Sequence, residues 1–202
     1  LSAIRTAIVC LQSQYNSSNL TELLSGTKRN QVPLYANINR SLLGHNRSAM
    51  DFAKTAERAV QNGFSTIKCA PFDEVMSEMK SADIVEHSSK GIERVKAVRA
   101  AIGDSIGLLV DCHSRFTLET APLICEQLYK LKVDWFEEPV SPTENGGELI
   151  QIAKLVNIPV AGGESGYGSG FFSDLVREKA VDIIMPDIKF CGGASEAHQS
   201  GM

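Results

Sequence analysis

The sequence lacks the features that mark several large classes of protein. No apolar run approaches the roughly 20 residues that a membrane-spanning helix requires, and no basic segment followed by an apolar one opens the chain like a secretory signal. The net charge of −4 provides no electrostatic attraction to nucleic acid or to an anionic membrane. We therefore expect neither nucleic acid nor a membrane as a partner.

Cysteines are few, and their spacing matches neither a disulfide framework nor a zinc site. The five cysteines are Cys10, Cys69, Cys112, Cys125 and Cys191. An odd number at irregular spacing is typical of free thiols, which persist in the reducing cytosol. We therefore expect a cytoplasmic protein.

The sequence does contain a regular alternation of strand-like and helix-like segments. The strand-like segments are 32–39, 64–70, 106–111, 133–137, 158–162 and 181–186. The helix-like segments are 1–25, 48–62, 88–102, 117–131, 147–156 and 171–179. Such alternation predicts an α/β fold with right-handed crossovers and a parallel sheet. The nearly apolar segments 106–111 and 181–186 are typical of strands that helices cover on both faces.

These units favour a partial (β/α) barrel of about six β/α units over an open doubly wound sheet. Polar residues cluster at the carboxyl ends of the strands, as in barrels, and no Gly-x-Gly-x-x-Gly follows the first strand. We assign residues 1–31 to a helix and loop leading into the barrel, and residues 32–202 to the partial barrel domain. Because the chain begins at Leu1 and stops soon after the sixth strand, we expect it to be a fragment.

Acidic residues end three successive units of this pattern. Asp111 is followed after 26 residues by Glu137, and Glu137 after 27 residues by Glu164, which is one strand and one return helix each time. Any one of them could be a helix cap or a solvated charge. Together, at the carboxyl ends of parallel neighbours, they would converge and repel one another unless a divalent cation lay between them. Oxygen ligands favour Mg²⁺, with Mn²⁺ as the alternative.

Four motifs in this order resemble the enolase superfamily, and most of all its mandelate racemase and muconate-lactonizing branch. They are Val-Asp-Cys-His-Ser-Arg-Phe at 110–116, Trp-Phe-Glu-Glu-Pro at 135–139, Pro-Val-Ala-Gly-Gly-Glu-Ser at 159–165 and Ile-Met-Pro-Asp-Ile-Lys-Phe-Cys-Gly-Gly at 184–193. The resemblance implies an enolase-type TIM barrel with Asp111, Glu137 and Glu164 as the metal ligands. It also implies a capping domain and two last strands that are missing from this chain, and we expect a homo-oligomer in the full-length protein.

The resemblance implies magnesium-dependent removal of a proton next to a carboxylate, which gives a metal-stabilised enediolate. The Asp-x-His-x-Arg spacing is similar to sugar-acid dehydratases such as galactonate dehydratase, so dehydration of a sugar acid would follow. His113 would expel the hydroxyl as a general acid, and Arg115 would bind the substrate. Asp187 would pair with a histidine at the end of strand seven as a base. Lys68 would hold the substrate carboxylate or the enediolate.

Structural roles are the alternatives for three of these side chains. Lys68 could face solvent, His113 could bond a neighbour in its loop, and Arg115 could form a salt bridge. One position departs from the family pattern. In many members strand two ends in Lys-x-Lys, and the second lysine of that motif is the catalytic base. Here Ala70 replaces that lysine, which disfavours a racemase or epimerase.

Other functions stay open beside the dehydratase. A cycloisomerase of the same superfamily needs the same enediolate, and a non-catalytic enolase-like binding or structural protein is the alternative of another class. A phosphate site at the glycines of 162–170 is a weaker interpretation, because a carboxylate lies among them. Without the last strands the sheet keeps two open edges, so we expect residues 1–202 alone to bind metal poorly and to be inactive.

Overall fold

The computed structural model describes residues 1–24, 30–42 and 47–202, and its framework is a parallel sheet of six strands. The strands are β1 (Ala36–Asn37), β2 (Thr66–Cys69), β3 (Gly107–Asp111), β4 (Trp135–Glu137), β5 (Val160–Gly162) and β6 (Ile183–Ile184). Each strand pairs in parallel with the next one along the chain. This sequential order is that of a (β/α) barrel and confirms the predicted fold class, a partial barrel of six units.

Helices connect successive strands, as the alternation predicted. They are α1 (Ser2–Tyr15), α2 (Leu20–Leu24), α3 (Ala49–Gln61), α4 (Ser81–Ile102), α5 (Ala121–Lys130), α6 (Gly146–Leu155), α7 (Ser169–Arg177) and α8 (Ala194–Ser200). A 3-10 helix, Asn39–Leu42, follows β1. Within the described part of the chain, no helix combines the length and the apolar character that a bilayer crossing demands.

Several predicted elements differ in their bounds from those observed, and three show the reasons. The predicted helix 1–25, whose last residue lies outside the described residues, is two helices, because Asn19 and Glu22 bond each other's backbone N–H and start α2. The predicted strand 32–39 pairs with its neighbour only at Ala36–Asn37. The helix predicted at 88–102 begins at Ser81, so it is seven residues longer at its amino end.

Alternate residues of the strands face opposite sides of the sheet. Ile67, Leu108 and Phe136 are fully buried in the apolar core between the strands and the helices. Burying one such side chain stabilises a fold by about 1.5–3 kcal/mol. The residues next to them in sequence, including Lys68 and Glu137, lie on the other face, which is the inner face of the barrel.

A buried arginine hydrogen-bonds the backbone at the amino ends of the strands. Arg99 of α4 is 8% exposed and donates hydrogen bonds to four backbone carbonyls. Its partners are the oxygens of Gly103 (2.7 Å), Ile106 (2.7 Å), Leu131 (3.0 Å) and Lys132 (2.6 Å). One guanidinium thus satisfies carbonyls before β3 and before β4.

Two aspartates repeat one contact at the same end of the sheet. Asp134, just before β4, accepts a hydrogen bond from the amide of Leu108 at 2.7 Å. Asp182, just before β6, accepts one from the amide of Val160 at 2.9 Å. Each carboxylate therefore satisfies an amide at the start of the neighbouring strand.

The first helix docks against the last segment of the chain. Ser2 Oγ donates to the carbonyl of Phe190 at 3.3 Å and accepts from the amide of Gly192 at 3.0 Å. Thr6 Oγ1 accepts from the amide of Ala194 at 3.3 Å. Contacts at α1 therefore order the turn that precedes α8.

Candidate active site at the carboxyl ends of the strands

The centre of the candidate site is a buried cluster of one lysine and two carboxylates. Asp111 and Glu137 are register partners at the ends of β3 and β4, and they are 5% and 1% exposed. Lys68 of β2 lies beside them, with its Nζ 3.2 Å from Asp111 Oδ2 and in contact with Glu137 Oε1. The parallel register therefore brings together two of the three predicted metal ligands.

The charges in this cluster strongly affect one another. Burial, and then the neighbouring charge of Asp111, raise the pKa of Glu137 to about 8. Burial alone would lower the pKa of Lys68, but Asp111 and Glu137 outweigh it and hold that pKa above its ordinary value. The cluster therefore holds two buried carboxylates whose mutual repulsion a cation would relieve.

The donor atoms present fit a hard cation. Glu137 Oε2 is buried and, among the described residues, has no hydrogen-bond partner. Such an orphaned oxygen next to a second carboxylate is a ready ligand for Mg²⁺, which binds carboxylate oxygens. In residues 1–24, 30–42 and 47–202, no three His, Cys, Asp or Glu side chains converge closely enough to hold a metal ion. Glu164 thus stands apart from the Asp111–Glu137 pair.

His113 lies at the edge of the cluster, on the same side as Asp111. Its Nε2 is 3.2 Å from Asp111 Oδ2, and its amide donates to Asp111 Oδ1 at 3.0 Å. The hydrogen bond with Asp111 raises the pKa of His113 despite partial burial. The imidazole is 54% exposed and can therefore reach a small molecule. Cys112, between them in sequence, points the other way into the core.

Arg115 makes contacts that the sequence did not indicate. Its Nη1 donates to the carbonyl oxygens of Phe72 (2.8 Å), Asp73 (2.9 Å) and Val75 (2.8 Å). These three carbonyls belong to the loop after β2. The guanidinium was predicted to bind substrate, but its observed contacts hold one rim loop against another.

Two further arginines fix the same loop, and sequence reasoning missed both. Arg47 donates to the carboxylate of Asp73 at 2.5 and 2.8 Å. Arg94 forms a bidentate pair with Glu74 at 2.7 and 2.8 Å. Burial works against ionisation of Glu74, but Arg94 outweighs it and holds the pKa of Glu74 below its ordinary value. The partners are far apart in sequence, so no local motif could have indicated them.

Three of the predicted site residues line a cavity of about 490 Å³ on the inner face of the sheet. Lys68, Glu164 and Asp187 all border it, together with the aromatic rings of Tyr35 and Trp135. Asp187 Oδ1 also accepts a hydrogen bond from the amide of Lys189 at 2.7 Å, within the turn after β6. The cavity therefore joins the lysine–carboxylate cluster to the acidic residues of the later strands.

Glu138 is a second site residue whose contacts the sequence did not reveal. Its carboxylate accepts hydrogen bonds from the backbone amides of Gly163 and Glu164. Burial raises the pKa of Glu138, and these two N–H groups act in the opposite direction. The resemblance of the Glu-Glu-Pro motif implied a supporting or structural carboxylate at Glu138, but it did not indicate these partners.

Comparisons with known proteins identify the family to which this sequence is similar. The sequence model of the family described as "Enolase C-terminal domain-like" matches residues 51–201. The arabinonate dehydratase of Saccharolobus solfataricus is 28% identical, over 100% of this chain and 50% of that protein. The D-galactarolactone cycloisomerase of Agrobacterium fabrum is 30% identical, over 97% of this chain and 48% of that protein.

A solved structure shows the same arrangement of elements. The mandelate racemase/muconate lactonizing enzyme-like protein from Roseovarius sp. TM1035 has a TM-score of 0.85 at 26% identity, and the match covers 98% of this chain and 51% of that one. The chain thus spans about half the length of the curated relatives it matches.

Proposed function

This chain belongs to the enolase C-terminal domain-like family, and from that premise we propose that the complete protein is a magnesium-dependent dehydratase of a sugar acid. The observation that carries the proposal is the buried Asp111–Glu137 pair with its orphaned oxygen, at the carboxyl ends of parallel strands. The name of the arabinonate dehydratase relative supports the substrate class.

Asp111 and Glu137 would hold the metal, and Glu164 would complete the ligand set. When bound, Mg²⁺ would supply positive charge that offsets the charge developing on a substrate carboxylate as its neighbouring proton is removed. Lys68 borders the cavity, so its ammonium group would orient that carboxylate. Stabilising charge where it develops is commonly the largest contribution to such a reaction.

His113 is our candidate for the general acid that protonates the leaving hydroxyl. Its exposed imidazole lies at the rim of the cluster and is hydrogen-bonded to Asp111, which fixes the orientation of the ring. Asp187 borders the same cavity and would orient a base on the opposite face of the substrate. We assign Arg115 to the support of the loop after β2, because its Nη1 bonds three carbonyls there.

A cycloisomerase is the second candidate, because one relative carries that name and the proton abstraction would be the same. A racemase or epimerase is disfavoured, because Ala70 stands where a lysine base would be needed. A non-catalytic binding protein would have no need for two buried carboxylates and a lysine in one cluster. We further propose a cytoplasmic location, because the five cysteines are free.

The complete gene product that carries residues 1–202 provides the test. We expect it to bind Mg²⁺ in a calorimetric titration and to convert at least one acid of a sugar-acid panel to an α-keto acid. Asp111→Asn should abolish both, whereas Glu144→Gln, which changes an exposed acid of the same rim, should alter neither. Equal Mg²⁺ binding by the wild type and Asp111→Asn would refute the metal site.

The product released from each acid separates the two reactions. A keto-deoxy acid indicates a dehydratase, whereas a rearranged ring without loss of water indicates a cycloisomerase. Residues 1–202 assayed alone should bind metal poorly and be inactive, and full activity of that chain would contradict this expectation.

A further inference from the structure

Glu138 adopts a backbone conformation that its own residue type does not favour. It follows β4 directly, and its φ of +39° lies in the left-handed region. A non-glycine residue seldom adopts that region and persists there only where the surrounding contacts enforce it. The contacts of Glu138 should therefore explain why its backbone is held in this conformation.

Four hydrogen bonds hold Glu138 in this position. Its Oε1 accepts from the backbone amides of Gly163 at 2.9 Å and Glu164 at 3.0 Å. Its own amide donates to the carbonyl of Ala161 at 2.9 Å, and its carbonyl accepts from the amide of Ser114 at 2.8 Å. One residue thus bonds the end of β5, the loop after β5 and the loop after β3.

Those segments carry the acids of the candidate metal site. Glu164 is itself one of the residues whose amide Glu138 binds, and Glu137 precedes Glu138 in the chain. Ser114 lies three residues after Asp111. The side chain of Glu138 therefore links the segment that carries Glu164 to the strand that carries Glu137.

The space for this side chain is provided by a glycine. A Cβ at Gly162 would lie 3.3 Å from Glu138 Cγ and 3.2 Å from Pro142 Cγ, which is closer than side chains normally pack. A Cβ at Gly162 would therefore require Glu138 Cγ and Pro142 Cγ to shift by a few tenths of an ångström. The close approach explains why glycine suits this position of β5.

We propose that Glu138 is a positioning residue that sets the metal affinity of the site by fixing the backbone of Glu164 against Glu137. The inference rests on the proposed function, because it presupposes that these acids bind a metal. Groups that hold metal ligands in place typically change affinity by about 10–100-fold when they are removed. The hydrogen-bond acceptor of Glu138, and not its charge, is the property that matters.

Mn²⁺ binding to the complete gene product tests this, with free Mn²⁺ counted by electron paramagnetic resonance. Glu138→Ala should weaken Mn²⁺ binding by about 10–100-fold. Glu138→Gln loses the same charge but keeps a side-chain oxygen for both amides, so its affinity should stay within about threefold of the wild type. The pair of variants therefore separates the acceptor from the charge.

Two further variants complete the design. Glu144→Ala removes an exposed acid of the loop after β4 and should bind Mn²⁺ like the wild type. Gly162→Ala leaves every hydrogen-bonding group in place but crowds Glu138 Cγ, and we expect it to weaken Mn²⁺ binding by shifting the Glu138 carboxylate. It keeps the test decisive even if Glu138→Ala does not fold.

The possible failures are distinguishable. Unchanged binding by a folded Glu138→Ala protein, or equal losses in the Ala and Gln variants, would overturn the positioning role and leave the metal site intact. Absence of Mn²⁺ binding by the wild type would overturn the proposed function itself, and the inference with it.

Discussion

The two ends of the same six strands differ in how their buried polar groups are paired. At the amino ends, Arg99 and Asp134 pair with backbone groups that would otherwise lack partners. At the carboxyl ends, like-charged side chains are buried together, and one carboxylate oxygen lacks a hydrogen-bond partner among the described residues. The difference indicates that one end contributes stability, whereas the other keeps groups available for a ligand.

The largest effect should come from the amino ends. Arg99→Met removes the donor for four backbone carbonyls, and leaving buried polar groups unpaired should lower the free energy of unfolding by about 3 kcal/mol or more. Urea denaturation measures this. Lys96→Met, an exposed position on the same helix, should stay within about 0.5 kcal/mol of the wild type. A loss below about 1 kcal/mol for Arg99→Met would contradict the comparison.

A substitution at the carboxyl ends of the strands should not lower the free energy of unfolding in this way. In metal-free buffer, Glu137→Gln should leave the free energy of unfolding unchanged or raise it, because burial and Asp111 disfavour the charge of Glu137 and raise its pKa to about 8, while Lys68 keeps Asp111 as an ion-pair partner. Mg²⁺ at about 100 times its Kd should stabilise the wild type by about 2.7 kcal/mol and the variant not at all. Thermal unfolding with and without Mg²⁺ gives both quantities. Marked metal-free destabilisation of the variant would assign Glu137 a structural role instead.

A smaller effect should follow from the repeated aspartates at the amino ends. Asp134→Ala removes the acceptor of the Leu108 amide and should cost about 1 kcal/mol in the free energy of unfolding. Asp134→Asn keeps an acceptor oxygen and should lose less. Mn²⁺ affinity should be the same in both variants and the wild type. A change in affinity would show that the two ends are not independent.

The smallest effect is a pH dependence at the carboxyl end. Arg94 depresses the pKa of Glu74 in the folded state, so this pair contributes stability above about pH 4.3, the ordinary value for glutamate, and the contribution is lost as the pH falls further through the depressed value. Glu74→Gln should therefore cost about 1 kcal/mol at pH 7, and less at each lower pH below that value. Urea denaturation across pH 3–7 measures the difference. A pH-independent difference, or an equal one for the exposed Glu78→Gln, would refute it.

The sequence was sufficient for the architecture because periodicity is a local property. Alternating segments predicted the six parallel units that the structure contains. The first helix was predicted too long, because the reciprocal bonds between Asn19 and Glu22 start a separate second helix. The first strand was predicted too long, because strand propensity does not reveal how many residues pair with the neighbouring strand.

Part of the candidate site was also predictable. The register of Asp111 with Glu137 follows from two apolar strands that each end in an acid. The contacts of Arg115 and Glu138 were not predictable, because their partners are backbone carbonyls and amides, which every residue possesses. A pattern of residue types carries no information about such contacts.

The docking of α1 has a consequence for the order in which the protein folds. Every strand pairs with its neighbour in sequence, whereas the contacts of Ser2 join positions 188 and 190 residues apart. Closing a chain segment costs entropy that grows with its length, and long-range contacts form slowly. We therefore expect the sheet to assemble unit by unit and α1 to attach last, so its amides should be among the first of the described helices to exchange with solvent.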